Sequence, residues 1–249
     1  MVEGCRTIAY VEIEAFAIAH LVAQMEAGRL DSAPIFTDLQ SSCFPWGRFA
    51  GLVDIVSGGF PCQPFSHAGT QASVDDPRHL WPTIARGLDV IRPACVFFEN
   101  VDGIASAKSP GYHSVLHHVL CDLEEMGFHT AAGCFTASEV GAPHLRKRWF
   151  ILGLADSDSS RRKQQRWPVA TSSQHATTER GRWPAGPGQP QHEWEHPRTI
   201  EPGMGGATNG LSFRVDRLRA LGNAVVPAVA ARAFVELWGR LNQTDDGGA

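Results

Sequence analysis

Two short stretches of this chain carry side chains whose types and spacing suit covalent chemistry. The first is Ser57-Gly58-Gly59-Phe60-Pro61-Cys62-Gln63-Pro64-Phe65-Ser66, directly after the apolar run Val53-Asp54-Ile55-Val56. Its two glycines and two prolines impose an abrupt, preset turn at the carboxyl end of a strand, the edge where open α/β sheets bind ligands. A cysteine on a stiff loop there can act as an attacking thiolate, although Cys62 alone also reads as a small apolar residue in a turn. The second stretch, Phe97-Phe98-Glu99-Asn100-Val101, places a carboxyl group and an amide at the end of the next buried run. If the runs at 53–56 and 94–98 are parallel neighbours, Cys62 and Glu99 face one cleft. A carboxyl group beside two phenylalanines holds its proton to a higher pH and can donate it near neutrality. The competing reading of Glu99 alone is a first-turn or N-cap acid of a helix.

The elements that must position these groups are legible as alternating patterns. Residues 7–11, 53–56, 95–98 and 149–152 form short, nearly continuous apolar runs. Such runs suit strands buried on both faces, as in a parallel sheet sandwiched by helices. Residues 14–27 and 113–126 carry apolar positions at helical spacing and stop at Gly28 and Gly127. The alternation predicts a doubly wound α/β domain over residues 1–154. From 155 to 205 the chain holds almost no aliphatic residues, and its apolar content is mainly Trp167, Trp183 and Trp194. That stretch cannot build its own core and reads as a loop-rich insert. Apolar periodicity returns in 206–249, which is expected to rejoin the first domain.

Composition removes several classes. The 249 residues, 43% of them hydrophobic, suffice for one sizeable core. With 22 basic and 26 acidic residues the formal charge is −4, so nucleic-acid contact would need a local patch. No apolar run approaches the ~20 residues that span a bilayer, and no signal-peptide pattern opens the chain. Six scattered cysteines lack any C-x-x-C pair, and His175, His192 and His196 show no metal-ligand pattern; His113, His117 and His118 with Cys121 at i+4 from His117 on one helix are a minor alternative as a metal site. The expectation is a cytoplasmic, monomeric enzyme without metal or membrane partner.

Taken together, Gly-Phe-Pro-Cys-Gln-Pro-Phe-Ser followed by Phe-Glu-Asn-Val resembles the cytosine-5 DNA methyltransferases in order and spacing. Further likeness accumulates downstream. His144-Leu145-Arg146-Lys147-Arg148 is similar to the family's Gln-x-Arg-x-Arg stretch, with histidine in place of glutamine. Residues 217–227 end in Gly222-Asn223-Ala224-Val225-Val226-Pro227, like the family's closing Gly-Asn-x-Val-x-Pro. Asp76, Arg78 and Leu80 resemble the motif after the family's cysteine loop. The resemblance implies a Rossmann-like, S-adenosylmethionine-dependent fold acting on duplex DNA, as in restriction-modification systems. It implies Cys62 as nucleophile, Glu99 as acid, Asn100 as a holder of loop or base edge, and Arg146 and Arg148 as orienting cations. Glu12, Asp38, Pro61, Leu80, Asn223 and Val225 would meet the cofactor. Gln63 and Ser66 would meet DNA, as would the basic cluster Arg161, Arg162, Lys163 and Arg166 in the insert.

The chain also departs from the family's pattern. A Phe-x-Gly-x-Gly loop should precede Glu12, and nothing in Met1–Arg6 resembles it. A late start or truncation is the expected reason, with weak or absent cofactor binding by residues 1–249 as its consequence. Two other functions remain open: a non-catalytic DNA-binding remnant or subunit, and a tRNA cytosine methyltransferase that uses the same cysteine chemistry.

Overall fold

The computed structural model describes residues 5–61, 80–156, 190, 192–193 and 224–243. Two parallel β-ladders open the chain order. Strand β1 (Tyr10–Val11) pairs with β2 (Ile35–Phe36), joined by helix α1 (Ala15–Glu26). A short helix α2 (Trp46–Phe49) leads to β3 (Ile55–Gly59). Helix α3 (Trp81–Ile91), strand β4 (Cys95–Val101) and helix α4 (Val115–Glu125) follow. Strands β5 (Phe128–Thr136) and β6 (Lys147–Ala155) and the closing helix α5 (Pro227–Gln243) complete the described elements. The strands form a two-stranded sheet, β1-β2, and a four-stranded sheet in the order β3-β4-β6-β5.

The expected parallel pair is present: β3 runs parallel to β4, with Ile55 opposite Cys95 and Gly59 opposite Glu99. The wider expectation of an all-parallel sheet is corrected, because β6 is antiparallel to both β4 and β5. The reason lies in the connection. Only residues 137–146, including a single 3-10 turn at Ala137–Val140, join β5 to β6, which is too short for the helical crossover a parallel pair needs.

Strand alternation divides the larger sheet into two cores. One face sends Val96, Phe98 and Ile151 against Trp81, Ile84 and Leu88 of α3 and Leu116, Val119 and Leu123 of α4. The other face sends Cys95, Phe150, Leu152 and Leu154 against Val229, Ala233 and Leu237, the i, i+4, i+8 stripe of α5. Helices thus cover both faces, as a doubly wound arrangement requires. α4 starts at Ser114, whose hydroxyl accepts from the His117 N–H, and its chain turns away at Gly127 with φ 84°. α2 lies so close to α3 that a Cβ on Gly87 would run into the Trp46 ring. By contrast α1 has no buried residue, and with β2 it borders an open apolar groove lined by Ile18, Val22, Met25 and Ile35. No described helix is long and apolar enough to cross a membrane.

Candidate active site

The carboxyl ends of β3 and β4 and the start of β6 build the site. Glu99 lies on the α5 face of β4, two residues beyond Phe97 and directly opposite Phe150. Phe98 points to the other face and packs with Phe60 and Trp81, so one of the two phenylalanines expected beside the carboxyl group is replaced by Phe150. Arg148 faces Val101 across the β4-β6 ladder, which puts it diagonal to Glu99, within reach of a long side chain. Its Nε sits 2.8 Å from Glu99 Oε1, with both side chains largely covered. Arg146, two residues earlier, donates from Nη2 to the Ala224 carbonyl at 2.6 Å and so ties the start of β6 to the segment entering α5.

Electrostatics at Glu99 is a contest. Burial raises its pKa, while the guanidinium groups of Arg148 and Arg146 pull it down, and burial wins. Arg146 is itself lowered by burial first and by its like-charged neighbour Arg148 second. The Arg148 Nε–Glu99 Oε1 ion pair is close, and Arg148's charge and side-chain contact lower the carboxyl's pKa without cancelling the effect of burial. The other oxygen, Oε2, rests against β3, where a Cβ on Gly59 would approach to 3.0 Å. Gly59 is a site residue the sequence reading took only as part of a turn. Its signal was the register: whichever residue of β3 lay opposite Glu99 had to leave room for the carboxyl group.

Asn100 has the opposite orientation, 2% exposed on the α3–α4 face. Its amide Nδ2 donates to the Phe60 carbonyl at 3.0 Å, and its Oδ1 accepts from the Val101 N–H at 2.8 Å. The side chain therefore clamps the end of β4 to the end of β3. Phe60, itself 6% exposed, is the last buried residue before Pro61 and Cys62.

Cys62, Gln63 and Ser66 lie outside the described residues, as do Asn223, Asp76, Arg78 and the cluster Arg161, Arg162, Lys163 and Arg166. Most of the 155–205 insert, with its tryptophans, is outside them too. Pro61 is exposed at the end of β3, and Leu80 is half-buried against the α3–α4 core. Val225 is exposed and, with Val226 and Val229, borders Arg146 and Arg148. Glu12 and Asp38 each follow one strand of the parallel β1-β2 pair. Glu12 donates its backbone N–H to the Phe36 carbonyl and accepts from the Glu14 N–H on Oε1. Asp38 accepts from the Gln40 N–H on Oδ1. Two carboxylates at the carboxyl tips of adjacent parallel strands suit the hydroxyl and amine donors of a nucleoside. Among the described residues, no three His, Cys, Asp or Glu side chains converge as a metal site.

Comparison with known proteins identifies the family. The sequence model of the C-5 cytosine-specific DNA methylases matches residues 3–195. The chain belongs to that family. Among curated relatives, the Type II methyltransferase M.NaeI of Lentzea aerocolonigenes is 37% identical over 102 residues, covering 41% of this chain and 24% of that protein. The Type II methyltransferase M.PspPI of Psychrobacter sp. is 33% identical over 134 residues, covering 53% of this chain and 31% of that one. Among solved structures, the S. pombe Dnmt2 methyltransferase aligns at TM-score 0.47 and 19% identity over 61% of this chain and 44% of that one. The matched region spans less than half the length of each of these proteins.

Proposed function

We propose that the chain carries the base-activating half of a DNA cytosine-5 methyltransferase that takes its methyl group from S-adenosylmethionine. The observation that carries this reading is the juxtaposition of Phe60 and Glu99 at the tips of two parallel strands, fixed by Asn100. Cys62 follows Phe60 by two residues, so the covalent chain keeps its Cα within about 7.6 Å of that anchor.

Cytosine C5 is too poor a nucleophile to take a methyl group unaided. The Cys62 thiolate adds to C6, forming a C–S bond, while N3 accepts a proton from Glu99 and the ring becomes an enamine nucleophilic at C5. Burial raises the Glu99 pKa, the direction that favours holding and donating a proton. Arg148 is placed to steady the carboxylate left behind, and Arg146 to hold the β6 start against the chain entering α5. When bound, the cofactor supplies an electrophilic methyl carbon on a sulfonium. A base then removes the C5 proton, the C–S bond breaks with Cys62 leaving as thiolate, and N3 returns its proton to Glu99. Since C5 and C6 are stacked within a duplex, the cytosine must leave the helix to be reached. Gln63, Ser66 and the basic cluster at 161–166 are proposed to contact the DNA, with Leu80, Pro61, Asn223 and Val225 beside the cofactor.

Glu12 and Asp38 fit the adenosine half of that cofactor; among the described residues, their sheet shares no hydrogen-bonded strand with the β3-β4 pair. The reaction is tested with duplex DNA containing 5-fluorocytosine at saturating cofactor, and with tRNA bearing the same base. A stable adduct on DNA supports the reading, an adduct on tRNA alone reassigns the substrate, and binding to DNA without any adduct leaves a non-catalytic DNA-binding protein.

A further inference from the structure

The end of β4 and the start of β6 form a rim beside Glu99, and that rim presents exposed apolar side chains. Leu145 is 68% exposed. Val101, opposite Arg148 across the ladder, and Val225, which borders Arg146 and Arg148, are exposed as well. A single leucine on a surface needs no explanation, but apolar side chains gathered around the guanidinium groups that act on Glu99 are not a scattered set.

The backbone beneath Leu145 is firmly held. The connection from β5 to β6 buries Ala137 and Ala142 in the second core. The Ala142 N–H donates to the Ala137 carbonyl at 3.0 Å, and the Ala137 N–H donates to the Arg146 carbonyl at 3.1 Å. From α5, Arg232 Nη1 donates to the Glu139 carbonyl at 2.9 Å. Leu145 precedes Arg148 by three residues, so the covalent chain keeps their Cα atoms within about 11 Å. The apolar side chain therefore stands outward from a fixed backbone, next to the residue that pairs with Glu99.

Lys147 differs from the cations around it. Arg148 is paired with Glu99, Arg146 holds the Ala224 carbonyl, and Arg232 lies 3.8 Å from Glu139. Lys147 is exposed, and among the described residues no carboxylate lies within ion-pair distance of its ammonium. Asp102 and Glu139 share its neighbourhood, since all three charges are felt at the Cys134 thiol, and Glu139 is already engaged by Arg232. A phosphate takes such an ammonium as a point charge. Leu145 has no hydrogen bond to offer a phosphate or a sugar, so its partner on DNA is the face of a base. Extruding a cytosine uncovers such faces on both neighbouring base pairs.

We propose that Leu145 and Lys147 form the duplex-facing rim of the site, with Lys147 at a backbone phosphate and Leu145 inside the gap that the extruded cytosine leaves in the base stack. This rests on the DNA cytosine reading above, so its test includes binding measurements that need no cytosine chemistry. The probes are a fluorescein-labelled mixed-sequence duplex and the same duplex with one abasic position, followed by anisotropy across a salt series with the full chain. Leu145→Ala removes the wedge, Leu145→Met keeps an apolar side chain of similar volume, and Lys147→Gln removes the charge. The parent protein is expected to bind the abasic duplex about fivefold more tightly, Leu145→Ala to lose that preference and Leu145→Met to keep it. Lys147→Gln should reduce the slope of log affinity against log salt by about one and leave the abasic preference intact. In the 5-fluorocytosine assay, Leu145→Ala should form adduct on duplex DNA about tenfold more slowly. A parent protein without the abasic preference, or an Ala variant that retains it, overturns the wedge. An unaltered salt slope in Lys147→Gln overturns the phosphate contact, and binding to tRNA alone overturns the duplex-facing role of both. Loss of preference and of slope in the respective variants, with no adduct even in the parent protein, supports the rim and overturns the methyltransferase reading instead.

Discussion

Glu99 is the side chain whose surroundings most constrain its chemistry, and its behaviour with pH follows from them. Its folded pKa lies above its ordinary value of 4.5, chiefly through burial. The folded protein therefore keeps the proton over a range in which the unfolded chain has released it. Stability is greatest below the ordinary value and declines as pH rises through the raised folded one. Glu99→Gln should flatten that slope in urea unfolding measured across the window; an unaltered slope would mean the carboxyl group is solvated. Gly59→Ala probes the same group from the β3 side. The added methyl meets Oε2 at 3.0 Å, so adduct formation should drop about tenfold while the fold survives. Retained activity would show that the carboxyl group shifts without consequence. Neither Cys95 nor Cys134 competes for the nucleophile's role. Burial pushes the Cys95 thiol up to about 12, and Cys134 is raised by burial and by Asp102.

At the scale of elements, the site depends on one clamp and one covering helix. Asn100→Leu removes the tie to Phe60 and strands its buried carbonyl, which should cost about 1–3 kcal/mol in chemical denaturation. A cost near zero would mean that β3 and β4 hold their ends without it. Leu237, fully buried on α5, should cost about 2–5 kcal/mol as Leu237→Ala if α5 closes the second face of the sheet. The helices α1 and α4 and the parallel β3-β4 pair were readable from periodicity and from the glycine stops. α3 was not picked out, because Trp81-Pro82-Thr83 and the helix's short length blur the pattern. Strand β5 was missed because Phe128–Thr136 mixes Ala, Gly, Cys and His with few β-branched residues. The mixed sheet followed from that omission. In the site, the chemistry-bearing types were legible as motif. Gly59's contact with Glu99 and the hydrogen bond from the Trp81 indole to Asp122 were not, since both are settled by register and tertiary packing between distant segments.

At the scale of the whole molecule, the described residues form a two-faced α/β sheet carrying the proposed base-activating groups, and a separate parallel pair carrying the carboxylates proposed for the cofactor. The account thus separates activation of the base from supply of the methyl group, and the first can be measured without the second. Thiolate addition at C6 with protonation at N3 makes C5 basic, so a tritium at C5 exchanges with solvent before elimination restores the cytosine. Tritium release from duplex DNA labelled at cytosine C5, in the absence of S-adenosylmethionine, is therefore the most direct measurement. The account predicts release by the parent protein, its abolition in Cys62→Ala and a strong reduction in Glu99→Gln. Release that persists in Cys62→Ala, or none from a parent protein shown to bind the DNA, would contradict it.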